Sequence, residues 1–375
     1  MRIVIRVIAA AVIGIVLLCT GIPCRAYDDA PEDTLSRAAQ SIEIPDEVQQ
    51  EFDRIGIAPE NPQSVLSLSP DDLLHRLLEI AAEEAAAPLK LCGMLLTMTV
   101  LSTLLGSLGD AAGGTLRRGF DTLCTLLCIG TAAQPLCDCL IRTADALDTG
   151  QAFMTGYVPV FGAFIAAGGQ VAGSAAYQVF VLFLTEGIMQ LMHGVLFPLL
   201  QMSAALGLAD AVNPALQLGG FVRGIQKAVT WLLGFVMTMF SALLSVRGIV
   251  AAAADSLAAK SVRLVASGLI PIVGNAVSDA YGTVQGSIRL MRSGVGACGI
   301  LVILWLTLPP VISLTLYRIV FRINGILAEM AGTKPLPQLY QNMQTVLSAA
   351  FAMLVCFAVM MIVSSAVMLL LLGGE

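Results

Sequence analysis

From residue 89 to residue 374 the chain is a succession of long uncharged runs, and that pattern fixes its solvent before it fixes its fold. A helix rises about 1.5 Å per residue, so crossing a ~30 Å hydrocarbon core takes about 20 apolar residues. Runs at 91–109, 122–137, 149–185, 187–209, 228–246, 264–278, 293–317 and 335–374 reach or approach that length. In hydrocarbon every backbone N–H and C=O must be paired inside the protein, so such runs become helices. With 57% hydrophobic and only 12% charged residues, the chain has too little polar surface to cover a water-soluble globule. The sequence therefore predicts an all-α polytopic membrane protein with about seven to eight transmembrane segments. The run 149–185 is long enough for nearly two crossings, with a turn expected around Gly168-Gly169 or Gly173, and is counted as one. The doubtful eighth segment is 264–288, where Pro271, four glycines and Asp279 interrupt the apolar pattern; it crosses, or it is re-entrant against protein.

Ahead of the runs, Arg2 and Arg6 precede an apolar core over 7–18 and small or turn-forming residues ending at Ala26. This reads as a signal peptide, residues 1–26, with an uncleaved signal anchor as the alternative. Residues 27–86 are then an acidic extracytoplasmic region, and 87–375 the multispan membrane domain. Of the 26 acidic residues, 15 lie between Asp28 and Glu84. That charge does not suit phosphate backbones, so nucleic acid is not an expected partner. The acidic region is too short and too charged for a large core, and a few small helices that contact a partner are expected. Arg117-Arg118, then Arg247, Lys260 and Arg263, then Arg318, Arg322 and Lys334 mark three candidate cytoplasmic loops. Residues 317–330 read as an interfacial amphipathic helix.

Chemistry-bearing patterns are scarce. The chain has no phosphate-binding Gly-x-x-x-x-Gly-Lys-Ser/Thr loop, no His-Glu-x-x-His and no Gly-x-Ser-x-Gly elbow, so it is read as a non-enzyme with no cofactor. Cys124, Cys128, Cys137 and Cys139 are the one cysteine cluster, but on a helix they cannot converge on a metal, and small apolar packing residues are the simpler reading. Glu186 and His193, seven apart, share a helix face in an apolar stretch. They are candidate intramembrane polar residues: a proton relay or pore-lining pair, or, more plainly, a Glu186 near a span end and a His193 hydrogen-bonded between helices. Asp121 and Asp138 are most simply interfacial, whereas Asp279, inside the interrupted segment, is a candidate for a specific polar role.

A short motif repeats. Thr155-Gly156-Tyr157-Val158-Pro159-Val160-Phe161-Gly162 returns 112 residues on as Ser267-Gly268-Leu269-Ile270-Pro271-Ile272-Val273-Gly274, and Pro198 is answered by Pro310 at the same shift. Repeat units of about 120–230 and 231–345 follow, each with a Gly/Pro-broken apolar segment. Paired broken segments in corresponding halves point to a functional site, and small residues equally serve close helix packing. Gly156, Pro159, Gly162, Gly268, Pro271, Gly274, Asp279, Gly282 and Gly286 are therefore candidates for a conduit or for helix packing.

The order Trp231-Leu232-Leu233-Gly234, Gly248-Ile249-Val250, Ala254-Asp255, Gly268-x-x-Pro271-x-x-Gly274, Ser278-Asp279, Gly286 and Gly294-x-Gly296 resembles the stage III sporulation protein AE family. The resemblance implies a multi-pass membrane protein of endospore formers, placed in the mother-cell membrane around the forespore. It implies a subunit of a channel or secretion complex joining the two cells. The implied partners are other stage III sporulation channel proteins, among them a cytoplasmic ATPase and ring-forming subunits, besides membrane lipid. From the residues alone a self-sufficient secondary transporter and a non-conducting assembly scaffold stay open.

Overall fold

The computed structural model describes residues 44–45, 48–50, 70–111, 114–167, 171–213, 218–242, 274–333 and 335–371. Its elements are helices, with no strand among the described residues. In chain order they are α1 (Pro70–Ala111), α2 (Gly114–Ala167), α3 (Val171–Leu191), a π turn (Met192–Leu196), α4 (Phe197–Val212), α5 (Gly219–Ala242), α6 (Gly274–Met330) and α7 (Pro335–Leu371). Six stretches are long and apolar enough to cross a membrane: Leu78–Ser107, Gly119–Ala163, Ser174–Val212, Gly219–Ala242, Val295–Met330 and Pro335–Ala366. The chain is a multi-pass membrane protein.

Local chemistry sets several joints. Pro198, in the first turn of α4, offers no N–H to the carbonyl four residues earlier and crowds it, and the wider π turn just before it relieves that clash. Asp210 accepts a 2.8 Å hydrogen bond from the Leu218 N–H, which ties the end of α4 to the start of α5. α6 closes in a Schellman turn: Gly332 sits at φ 70, its N–H bonds Glu329 O at 3.1 Å, and Thr333 N–H bonds Ala328 O at 3.3 Å.

Lipid is as apolar as leucine, so tight fit and interhelical polar contacts hold such helices together rather than exclusion of water. α1 and α2 form an antiparallel hairpin with Glu84 and Arg142 3.3 Å apart. Deeper in that hairpin, Thr99 and Cys128 flank the hydroxyl of Tyr340 from α7, at 3.3 and 3.5 Å. At the far end of α2, Phe153, Tyr157 and Phe161 stack at 5.3 Å intervals and Tyr177 of α3 meets Phe161 edge-on at 6.1 Å. Gly299 of α6 lies directly against the Tyr157 ring, and Gly150 of α2 faces Phe357 of α7, where an added Cβ would stand 2.6 Å from the ring.

Several expectations are corrected. The runs 122–137 and 149–167 are parts of the single helix α2, because Asp138, Arg142, Asp145 and Asp148 ride its surface, Asp121 likewise. The run 149–185 is divided instead, α2 ending at Ala167 and α3 starting at Val171, and the expected boundary near residue 186 is continuous helix. The first copy of the repeated motif is not a break: α2 runs through Gly156, Pro159 and Gly162. Residues 317–330 continue α6 rather than forming a separate helix, with Tyr317, Val320, Phe321, Asn324 and Ala328 buried and Ile319, Ile323, Ile326 and Met330 exposed, so Arg318 and Arg322 lie on a helix and not in a loop. Arg318 stacks over Phe351 at 4.7 Å. α1 crosses the 86/87 boundary without interruption, with Pro88 inside it. From Gly274 onward the interrupted segment is one helix with the 293–317 run, which removes a re-entrant turn there. Residues 1–43, together with Arg247, Lys260, Arg263, Gly268 and Pro271, lie outside the described residues.

Candidate functional site

Where α3 passes through the π turn beside α2, two interhelical polar contacts form. His193 Nε2 lies 3.0 Å from Asp148 Oδ1, and Gln151 Nε2 donates to Glu186 Oε2 at 2.7 Å. The sequence supplies both halves by period. Asp145, Asp148 and Gln151 recur at about one helical turn along α2, and Glu186 and His193 are two turns apart on the facing segment. His193 is held from behind by stacking on Phe197 at 5.4 Å. Its side chain is 38% exposed and that of Asp148 59%, so the seam runs along the outer edge of the bundle.

A carboxylate and an imidazole at hydrogen-bond distance can share a proton and can lock two helices in register. They lack a positioned nucleophile, and among the described residues no group of three or more His, Cys, Asp and Glu side chains could hold a metal ion. π turns recur at functional positions, which singles out this joint. Glu186 is not at a span end, since helix continues on both sides of it. The partners Asp148 and Gln151 were missed from the sequence, although the polar residues at three-residue spacing after Asp145 were the available signal.

The other candidate residues scatter. Gly156 and Pro159 are exposed on α2, and a Cβ at Gly156 would meet nothing within 4 Å. Gly162 is a packing residue: it is buried against Gln178 of α3, and its carbonyl accepts the Ser174 hydroxyl at 2.5 Å. Gly274, Asp279, Gly282 and Gly286 lie on the first turns of α6, a different element from those that carry the seam. Cys124, Cys128 and Cys139 are buried along α2, with Cys128 packed on Tyr340. An interhelical seam of this kind has a measurable signature. In a double-mutant cycle of Gln151→Ala with Glu186→Ala, unfolding stability is expected to show a coupling of about 0.5–1 kcal/mol. Strict additivity would mean the contact is incidental.

The family described as stage III sporulation protein AE (spore_III_AE) matches residues 61–371. The stage III sporulation protein AE of Bacillus subtilis (strain 168) is 22% identical over 323 residues, covering 82% of this chain and 81% of that protein. No solved structure matches.

Proposed function

Because the chain belongs to the stage III sporulation protein AE family, with a role in sporulation, we propose that it is a non-enzymatic membrane subunit of a channel or secretion complex between mother cell and forespore. It would sit in the mother-cell membrane around the forespore, with the other stage III channel proteins, a cytoplasmic ATPase and ring-forming subunits, as partners. The observation that carries the reading is the family match, which extends over the described spans. In this reading any work done on a passing molecule comes from a partner.

The seam at Asp148, Gln151, Glu186 and His193 favours a second reading, a secondary transporter acting alone, since ionisable groups between helices serve proton-coupled carriers. A non-conducting assembly scaffold is the third. Deleting the gene in the source organism, and scoring heat-resistant spores and forespore size after engulfment, tests the first reading. Normal growth with at least a 100-fold loss of heat-resistant spores and shrunken forespores is expected. Unchanged spore yield would overturn it, and substrate-dependent flux by the purified chain in vesicles would favour the transporter.

A further inference from the structure

The contacts between helices fix which residues share a height along the bundle. Glu84 meets Arg142, and Thr99 and Cys128 meet at Tyr340, so α1 and α2 run antiparallel with Lys90 close to the height of Asp138. Asn324 of α6 reaches Cys92 Sγ at 3.5 Å, which brings Arg322 to that height as well, and His193 of α3 stands at Asp148. A charged belt about 15 Å deep, from Asp138 to Asp148 on α2, thus crosses α1, α3 and α6 too. On its Tyr340 side the next charged positions are Asp110 on α1 and Asp121 on α2. Lys90 to Asp110 is about 30 Å of helix and Asp138 to Asp121 about 26 Å. Met94, Val100, Leu104, Leu123, Leu126 and Leu127 are exposed between those limits. On the Tyr157 side the outward faces differ. α1 continues that way from Glu84 back to Pro70 and exposes His75, Glu79 and Glu83, and α2 exposes Ala152, Thr155, Gly156 and Pro159. Residues 295–318 of α6 and 351–366 of α7 include no exposed residue. Among the described residues, the large apolar side chains that α1, α2 and α3 leave exposed at this end are Leu78, Val179 and Phe183.

Surface that meets lipid tails presents large apolar side chains and keeps ionisable groups at its two edges, where the headgroups are. On α1 and α2 alike, the distance between the charged edges of the Tyr340 end equals the ~30 Å of a hydrocarbon core. We propose that the Tyr340 end is the surface a lipid bilayer covers, and that the Tyr157 end stands out of the bilayer on the side of the acidic half of α1. The covered part comprises residues 91–109 of α1 and 122–137 of α2, with α7 beside them at Tyr340 and α4 held to α7 where Asn342 bonds the Gly207 carbonyl at 3.2 Å. The belt then lies in the headgroup layer, where Glu84, Arg142, Asp148 and His193 meet water rather than hydrocarbon. The Tyr157 end encloses its apolar residues around Phe153, Tyr157 and Phe161 and turns small or charged residues outward, which is how a helical bundle meets water.

Cysteine labelling of the full-length protein, one copy per lipid nanodisc, reads this placement. A charged water-soluble maleimide attacks the thiolate, and neither enters hydrocarbon. Leu104→Cys and Leu127→Cys probe the Tyr340 end, and Thr155→Cys and Phe183→Cys the Tyr157 end; all four positions are exposed except Thr155's neighbours in the core, and each rate is read by mass on its own peptide and compared with that of the unfolded chain. Thr155→Cys and Phe183→Cys are expected to react at least about 10-fold faster than Leu104→Cys and Leu127→Cys. Four equally slow rates would overturn the proposal, because the Tyr157 end would then be covered as well. Four equally fast rates, or the reverse order, would overturn it too. The wild-type chain gives a check that needs no substitution: Cys137 is exposed on α2 beside Asp138, so it is expected to react at a rate near that of Thr155→Cys, and an unreactive Cys137 would place the belt in hydrocarbon and sink the proposal.

Discussion

Gly299→Leu is expected to remove nearly all folded protein, whereas Gly156→Leu should leave its level and melting temperature within error. Both glycines lie within long helices, so intrinsic propensity favours leucine at each by something under about 1 kcal/mol. Space decides the difference. At Gly156 a Cβ meets nothing within 4 Å, but at Gly299 it would stand inside the Tyr157 ring. That ring has no free rotamer, being stacked between Phe153 and Phe161 at 5.3 Å on either side. Overpacking a closed core costs about 1–3 kcal/mol for a few added methylenes, and an overlap with an immobile ring belongs at or above the upper end. Size-exclusion profiles and thermal melts of the two variants in the same detergent check the contrast. Equal melting temperatures would show that α6 can slide away from α2 there, and that the close approach is not what holds this end together.

Tyr340→Ala is expected to destabilise by about 3–5 kcal/mol, and Tyr340→Phe by about 1 kcal/mol. The residue is fully buried and is touched from three other helices: Thr99 on α1, Cys128 on α2, and Phe321 on α6 with ring centroids 6.4 Å apart. Alanine removes the ring and leaves a cavity at that meeting point, while phenylalanine removes only a hydroxyl whose contacts are long. A loss for phenylalanine as large as that for alanine would mean that the hydroxyl, not the ring, joins the helices.

The class of fold was legible because it rests on backbone physics: uncharged runs of that length have one stable form in lipid. The break between the helix ending at Ala167 and the one starting at Val171 was legible too, since paired glycines at 168 and 169 signal it chemically. What misled the reading was the assumption that charge ends a helix. Asp138, Arg142, Asp145 and Asp148 interrupt hydropathy without interrupting hydrogen bonding, and so two runs became one helix. The same holds for Pro159, where the loss of one N–H is tolerated inside a long helix. The seam was half legible. Glu186 and His193 stand out in an apolar stretch, but their partners lie 35 and 45 positions away, a pairing set by how α3 folds back on α2. The π turn had no signal beyond Pro198.

The 54 residues of α2 make a rod about 81 Å long, more than twice the thickness of a hydrocarbon core. Its two uncharged stretches lie on either side of the band from Asp138 to Asp148, so a single flat bilayer can immerse one of them and not both. The other is an oily surface that lipid tails do not reach, and protein must shelter it. For such a chain, hydropathy counts oily stretches rather than crossings, and the difference between the two counts measures how much apolar surface the bundle folds against itself, as it does at Phe153, Tyr157 and Phe161.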